Sequence, residues 1–560
     1  MGCYLSVRNR NAITYFYVVN NIWDKEQKKI IKQQTYLGRF RKNQMELNEK
    51  GLMHAELFKG SKFEREYWNW RESYDASCKR EVITTIEKVQ EAEDKNAGLN
   101  LLLSKISVDI GLRDALETVF GMELASKIES LAYYCVSKGR YPLYQASLWT
   151  EEQLLPYQEK ISEAEISAIL KKISSSDILQ FLGLWSKGVN PKELLNLDIT
   201  STSSYSHGIE DVVFGYNRDG EKLPQINLLL VSSQRSGLPV WFEQLPGAII
   251  DSTALQDTLK LMSQSKCPCK NYVMDRGFAT HANIDYMLKN HIKFTVGIPL
   301  HLFPEYLQEC QEAQQKHLFC DPQNTLNLFE EFNTLQTQAV TLTKKIAGHR
   351  VYCHLFYTDA YHSMANEALM SDLMIVKEKL QTKKMLNKEE KFLAEKCFTV
   401  KETPVRGIQV TANLEQIDKL RDNSSGFFVV LSSQFKDPND ALNSYKLRDH
   451  VEKGFDDLKN EEDAYRLRVH SAHAMRSRLF LQFIAQILRS YILRKLQNAT
   501  KKPHKIKCLN DCLTIISSLR RVKIEGHRAF YKRPTKAQLA IIDFFEIDRS
   551  GPEWNTVRAS

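Results

Sequence analysis

In residues 12–19 (AITYFYVV) and 32–40 (KQQTYLGRF) apolar and polar side chains alternate, a period of two that predicts strands and a small β-rich module over residues 1–55. From 56 to 190 the period lengthens to that of a helix, most clearly in DALETVFGMELASKIESLAYYCV, with Pro142 and Pro156 as breaks. Strands return at ELLNLDITSTSSY, where Leu195, Leu197 and Ile199 point one way and Asn196, Asp198 and Thr200 the other. KLPQINLLLVSS and, after the turn at Ser236-Gly237, GLPVWFEQL complete a three-strand meander. DSTALQDTLKLMSQ reads as a helix capped near Asp251 or Ser252. KNYVMDRGF is a fourth strand ending on Asp275, IKFTVGIP a fifth, and GFFVVLSS a last one. Between 301 and 425 this order is interrupted. A β-like piece, RVYCHLFYTD, and a charged helical piece, LMIVKEKLQTKKMLNKEEKFLAEK, predict an inserted subdomain, because a structureless loop of that length is rare in a compact fold.

After the last strand, Asp437-Pro438-Asn439-Asp440 signals a helix start, and no further Gly or Pro occurs before Gly454. The expected helix contains YKLRDHVEKGFDDLK, residues 445–459. At 100° per residue, Tyr445, Arg448, Glu452 and Lys459 fall within an arc of roughly 60°. Leu447, Val451, Phe455 and Leu458 occupy an adjoining arc of roughly 80°. One stripe is suited to packing and the other to chemistry.

The length of 560 residues exceeds what a single core supports and suggests three or four domains. With 43% hydrophobic and 26% charged residues, the composition is that of a globular chain rather than a disordered one. The net charge of +9 is unevenly spread: residues 464–536 carry 18 Lys and Arg against Asp511 and Glu525. Such a block suits a polyphosphate partner, since each neutralised phosphate releases condensed counterions. Eleven scattered cysteines fit reduced thiols in a cytosol. Cys267-Pro268-Cys269 is too tight for a zinc knuckle, and His504, Cys508 and Cys512 lack a fourth ligand. The longest apolar run, 479–496, is interrupted by Gln482, Gln486 and Arg489, so no membrane span is expected. No secretory signal opens the sequence.

Asp198 lies on the polar side of the first strand of the meander, Asp275 at the end of the fourth strand, and Glu452 on the late helix. If these elements pack as a sheet flanked by helices, three carboxylates from distant parts of the chain converge. They would repel one another unless a divalent ion neutralised them, and an all-oxygen ligand set suits Mg²⁺ or Mn²⁺. A pair of such ions about 3.5–4 Å apart can activate an attacking oxygen and stabilise a leaving oxygen. Taken singly, an Asp at a strand end is usually a turn former and a Glu on an exposed helix usually solvated.

The spacing Y-x2-R-x3-E-x6-K, met here by Tyr445, Arg448, Glu452 and Lys459, resembles the signature of DDE transposases of bacterial insertion sequences, insertion-sequence family four. LNLDIT and VMDRGF resemble the segments that carry that family's first and second aspartates. The resemblance covers 190–300 and 425–500; the N-terminal module, helical region and basic tail are similar, less specifically, to its long-chain subgroup. It implies a mixed α/β chain with an RNase H-like catalytic core over 191–300 and 426–500 and an inserted subdomain over 301–425. Residues 1–55 would be the β-rich module, 56–190 a helical DNA-binding region and 501–560 a basic C-terminal region. By that similarity Asp198, Asp275 and Glu452 are the catalytic metal ligands, for two Mg²⁺ or Mn²⁺ ions, and Tyr445, Arg448 and Lys459 contact DNA phosphates. The implied reaction is cleavage at transposon ends and strand transfer into target double-stranded DNA, by a homodimer or larger synaptic assembly in the bacterial cytoplasm, on the nucleoid. No G-x4-G-K-[ST] loop is present, so no nucleotide cofactor is expected. Two other classes fit parts of the pattern: a structure-specific nuclease using the same carboxylates, and a non-catalytic basic DNA-binding protein.

Overall fold

The computed structural model describes residues 3–24, 27–42, 44–139, 141–204, 206, 208–217, 220–326, 337–403, 407–422, 425–448, 471–500 and 502–554. They fall into two units: Met1–Asp94 with Arg521–Tyr531 and Pro552–Ser560, and Lys95–Arg520 with Lys532–Gly551.

In the first unit the predicted alternation produces four antiparallel strands, β1 (Cys3–Arg10), β2 (Ile13–Asp24), β3 (Lys29–Arg41) and β4 (Gln44–Leu47), in that order. Every second side chain of β2 turns inward, so Phe16 and Val18 meet Leu37, Met45, Phe58, Phe63 and Tyr67 in one small core. Helix Glu64–Gln90 follows. A short strand, β5 (Glu93–Asn96), carries the chain onward.

The second unit is built on an eight-stranded mixed sheet. Its strands are β6 (Leu195–Ser203), β7 (Gln225–Ser233), β8 (Pro239–Pro246), β9 (Asn271–Met274), β10 (Lys293–Ile298), β11 (Gln338–Ile346), β12 (His349–Tyr357) and β15 (Phe427–Ser432). Their order is β11-β12-β15-β10-β9-β6-β7-β8, with β6 parallel to β9, β9 parallel to β10, and the other neighbours antiparallel. Strands β6 and β7 are buried along their whole length, as central strands covered on both faces are. Helix Ala472–Gln497 is buried through most of its length, with Arg478, Gln482, Gln486 and Arg489 inside among the apolar side chains. Its Phe480 packs on Phe120 and Phe181, and its Phe483 on Phe242 of β8. No helix among the described residues is long and apolar enough to cross a membrane.

The region read as one inserted piece divides in two. Strands β11 and β12, the latter containing most of RVYCHLFYTD, join the central sheet beside β15. Val351, Cys353 and Leu355 are buried on one side of β12 and His354 and Phe356 on the other, the pattern of an interior strand. Among the described residues, those between 359 and 422 form a cluster of their own, in which helices Asp359–Gln381, Lys388–Cys397 and Leu414–Asp422 and the strands β13 (Phe398–Thr403) and β14 (Gly407–Ala412) enclose Leu373, Val376, Cys397, Phe398 and Ile417.

Candidate active site

The site begins with two adjacent parallel strands. Leu197 of β6 pairs with Met274 of β9, so the next residues, Asp198 and Asp275, stand beside each other on the same side of the pleat, one interstrand spacing of about 4.8 Å apart along the backbone. Asp198 is buried, and one carboxylate oxygen, Oδ1, accepts from the Ile199 N–H at 2.8 Å. Asp275 keeps an extended backbone and opens the turn Arg276–Phe278, its carbonyl accepting from the Phe278 N–H.

A single guanidinium bridges the two carboxylates. Arg448 Nη1 donates to Asp198 Oδ2 at 3.2 Å, and Nη2 lies 3.5 Å from Asp275 Oδ1. Tyr445 donates its hydroxyl to the same Asp275 oxygen at 3.0 Å, and its ring lies beneath the Arg448 guanidinium. Burial first, and the negative charge of Asp275 second, push the Tyr445 hydroxyl well above its ordinary pKa, so it stays a proton donor throughout the physiological range.

Helix Pro438–Lys446 delivers both residues. Asp437 caps it, accepting from the Asn439 N–H, and Pro438 occupies the first turn as expected. The helix was expected to run through Lys459, but in the described residues it ends at Lys446. Leu447 is its C-cap and Arg448 sits in a turn closed by its N–H onto the Tyr445 carbonyl. The end is held from the sheet: Gln234 Nε2 donates to the Ser444 carbonyl at 2.7 Å and to Asn196 Oδ1 at 3.1 Å. These side-chain bonds and the two ion pairs place Tyr445 and Arg448 over the aspartates. Glu452 and Lys459 lie outside the described residues.

Two residues of the site escaped the sequence reading. Gln234 has no signal beyond polarity at a strand end. Gly297 had one, a glycine inside strand β10: a Cβ there would come within 2.5 Å of the Tyr445 hydroxyl and 3.0 Å of its ring carbon Cζ. An interior strand glycine often marks such a close approach. Trp241 of β8 is fully buried.

The oxygen-only set of Asp198 and Asp275 fits a hard divalent cation, and a third protein ligand would have to come from beyond the described residues. Among the described residues no group of three or more His, Cys, Asp and Glu side chains could hold a metal. Cys269 is an ordinary buried thiol, donating to the Glu193 carbonyl, with its pKa pushed up to about 11 by burial. Cys512 is buried too, while His504 and Cys508 are exposed.

The basic block of 464–536 is partly structural. Arg478 and Arg489 are buried, Arg489 donating to the Val136 carbonyl; Arg494 donates to the carbonyls of Gln234 and Arg235, and Arg521 pairs with Glu553. Lys502, Lys505 and Lys507 remain exposed. A count of cations cannot distinguish the two roles, because an arginine stem can be buried as readily as apolar surface when its head finds carbonyl partners.

Comparison with known proteins gives three findings. A family model described as "Transposase DDE domain" matches residues 191–488, more than half of the chain. No curated protein matches. Among solved structures, a piggyBac transposase synaptic complex with hairpin DNA aligns with 8% identity and a TM-score of 0.31, over 81% of this chain and 80% of that one.

Proposed function

From the premise that the chain belongs to the transposase DDE-domain family, we propose that it cuts DNA at the ends of a mobile element and joins those ends to target DNA, with Asp198, Asp275 and Glu452 as its catalytic carboxylates. The observation that carries this reading is the placement of Asp198, within β6, beside Asp275, the residue that directly follows its parallel neighbour β9. The run β8-β7-β6-β9-β10, an antiparallel meander followed by two parallel strands, supports an RNase H-like core that β15, β12 and β11 extend. The four-residue spacing from Tyr445 to Lys459 supports insertion-sequence family four within the wider family, and with it a bacterial, nucleoid-associated protein.

DDE transposases generally use divalent ions. Asp198, Asp275 and Glu452 would hold one or two Mg²⁺ or Mn²⁺, which when bound supply Lewis acidity and neutralise charge at the phosphate. The residues of this chain supply the rest. Tyr445, held protonated, and Arg448 offset the carboxylate charge and are placed to turn a hydroxyl and a guanidinium toward a phosphodiester seated on the aspartates. Lys459 would add a point charge on the same backbone. In cleavage a water oxygen bonds to phosphorus as the bond to the 3′-oxygen breaks, leaving a free 3′-hydroxyl. In transfer that hydroxyl attacks a target phosphodiester and the target 3′-oxygen leaves. One phosphodiester replaces another, so no nucleotide is consumed. Joining two ends at one target calls for at least a dimer.

Asp198→Asn, Asp275→Asn and Glu452→Gln should each reduce cleavage and strand transfer in Mg²⁺ by at least about a thousandfold, the scale on which loss of a principal catalytic interaction is felt, while duplex binding in EDTA is retained. Normal cutting by any of the three would refute its assignment. Cutting without joining by the wild-type protein would favour the nuclease.

A further inference from the structure

The sheet of the first unit has two unlike faces. One turns Phe16, Val18 and Leu37 into the core. On the other, Tyr15 pairs with Arg8 on one side and Arg39 on the other, and Tyr17 pairs with Tyr36, so these five side chains share a face. Tyr36 is 41% exposed, and its ring lies 5.5 Å from Tyr17 and 6.4 Å from Tyr15. The Arg8 guanidinium rests over the Tyr17 ring at 5.1 Å and donates to Gln34 Oε1 at 2.6 Å. Arg10, two residues along the same strand, is exposed on the same side.

A solvated sheet face usually mixes charge signs, but residues 1–47 hold nine Lys and Arg against three Asp and Glu. One of those acids, Glu46, is paired with Arg39 at 2.6 Å, so Arg39 is engaged, while Arg8 and Arg10 of β1 form no such ion pair among the described residues. From this face we infer a second DNA-contacting surface, on which Arg8 and Arg10 engage phosphates of duplex DNA and the tyrosines supply hydroxyl donors and a rigid floor. A guanidinium held over a ring and tied to Gln34 has less side-chain freedom left to lose on binding. A second copy of this chain is the poorer occupant, since a self-complementary contact would bring the same surplus of cations against itself. The inference rests on the proposed function only for the identity of the polyanion.

The test uses the full chain in EDTA, with anisotropy of a fluorescein-labelled random-sequence duplex followed from about 50 to 200 mM salt. Arg8→Ala/Arg10→Ala should flatten the dependence of log K on log salt by about 1.8, at 0.9 per phosphate contact, with thermal unfolding unchanged. A wild-type slope in the folded variant overturns the inference, as does a wild-type slope with a loss of dimer in sedimentation, which would make the face a protein interface. Asp198→Asn measured in parallel separates the two proposals. If it cleaves normally while the arginine variant loses slope, the active-site assignment fails and this surface stands; if it loses cleavage while the arginine variant keeps its slope, only the surface fails.

Discussion

Arg448 spends its guanidinium on the two carboxylates that a divalent ion would also need. It is largely buried, as is Asp198, whereas Asp275 is about one-third exposed. Removing a cation from such a pair leaves uncompensated negative charge, and breaking a fully buried pair costs about 3–5 kcal/mol; with Asp275 partly solvated, about 2 kcal/mol is expected. Arg448→Ala should therefore melt earlier than wild type in EDTA and gain more from added Mg²⁺, because ion and guanidinium no longer compete for the same oxygens. Differential scanning calorimetry with and without Mg²⁺ measures both shifts. An equal Mg²⁺ response in variant and wild type would show that the two cations do not share a site. The residue types were legible in the spacing from Tyr445 to Lys459; the contact between Arg448 and the aspartates was not, because Arg448 lies 250 positions from Asp198 and 173 (448 − 275) from Asp275.

Strand β12 adds a titration to the sheet. His354 is fully buried; its Nε2–H donates to the Phe435 carbonyl, and its Nδ1 lies 2.9 Å from the Thr341 hydroxyl, which can donate to it while the ring is neutral. Burial lowers its pKa from 6.5 to about 4. The unfolded chain therefore takes up a proton below about pH 6.5 that the folded chain refuses until about pH 4, and stability falls as pH drops through that window, by up to about 3 kcal/mol. Above pH 6.5 this group contributes no pH dependence. His354→Phe should lower stability at pH 7 yet flatten its decline between pH 6.5 and 4, as read from urea midpoints; an unchanged decline would assign the titration elsewhere. At this level alternation in β6 and short apolar runs bounded by turn residues were a reliable guide to β6, β7, β8, β9 and β10, because both patterns depend on local sequence alone. Pairing was not. RVYCHLFYTD reads as a strand whether it belongs to a separate subdomain or to the central sheet, and only the long-range register with β15 decides. Likewise helix Asp251–Gln264 starts after Ile250 without a side-chain cap, despite two capable residues nearby.

For the molecule as a whole, DNA affinity should depend on the cations that the fold leaves outside. Lys502, Lys505 and Lys507 are exposed, whereas Arg478 and Arg489 of the same basic block are inside the helical packing. Replacing the three lysines with glutamine should flatten the salt dependence of duplex binding by up to about 2.7. Replacing Arg489 should instead lower stability, through the lost bond to the Val136 carbonyl and the lost packing of its stem. A salt slope insensitive to all three lysines would move DNA contact away from the C-terminal region. The local periods, the cap at Asp437, the charge imbalance and the two aspartate segments follow from the order of residues alone, since each depends on neighbours within a few positions. Which strand lies beside which, which arginines are solvated, and that Asp198 and Asp275 meet under Arg448 and Tyr445 with Gly297 making room are decided by tertiary packing. Those contacts join residues tens to hundreds of positions apart, and nothing in a local pattern specifies its distant partner.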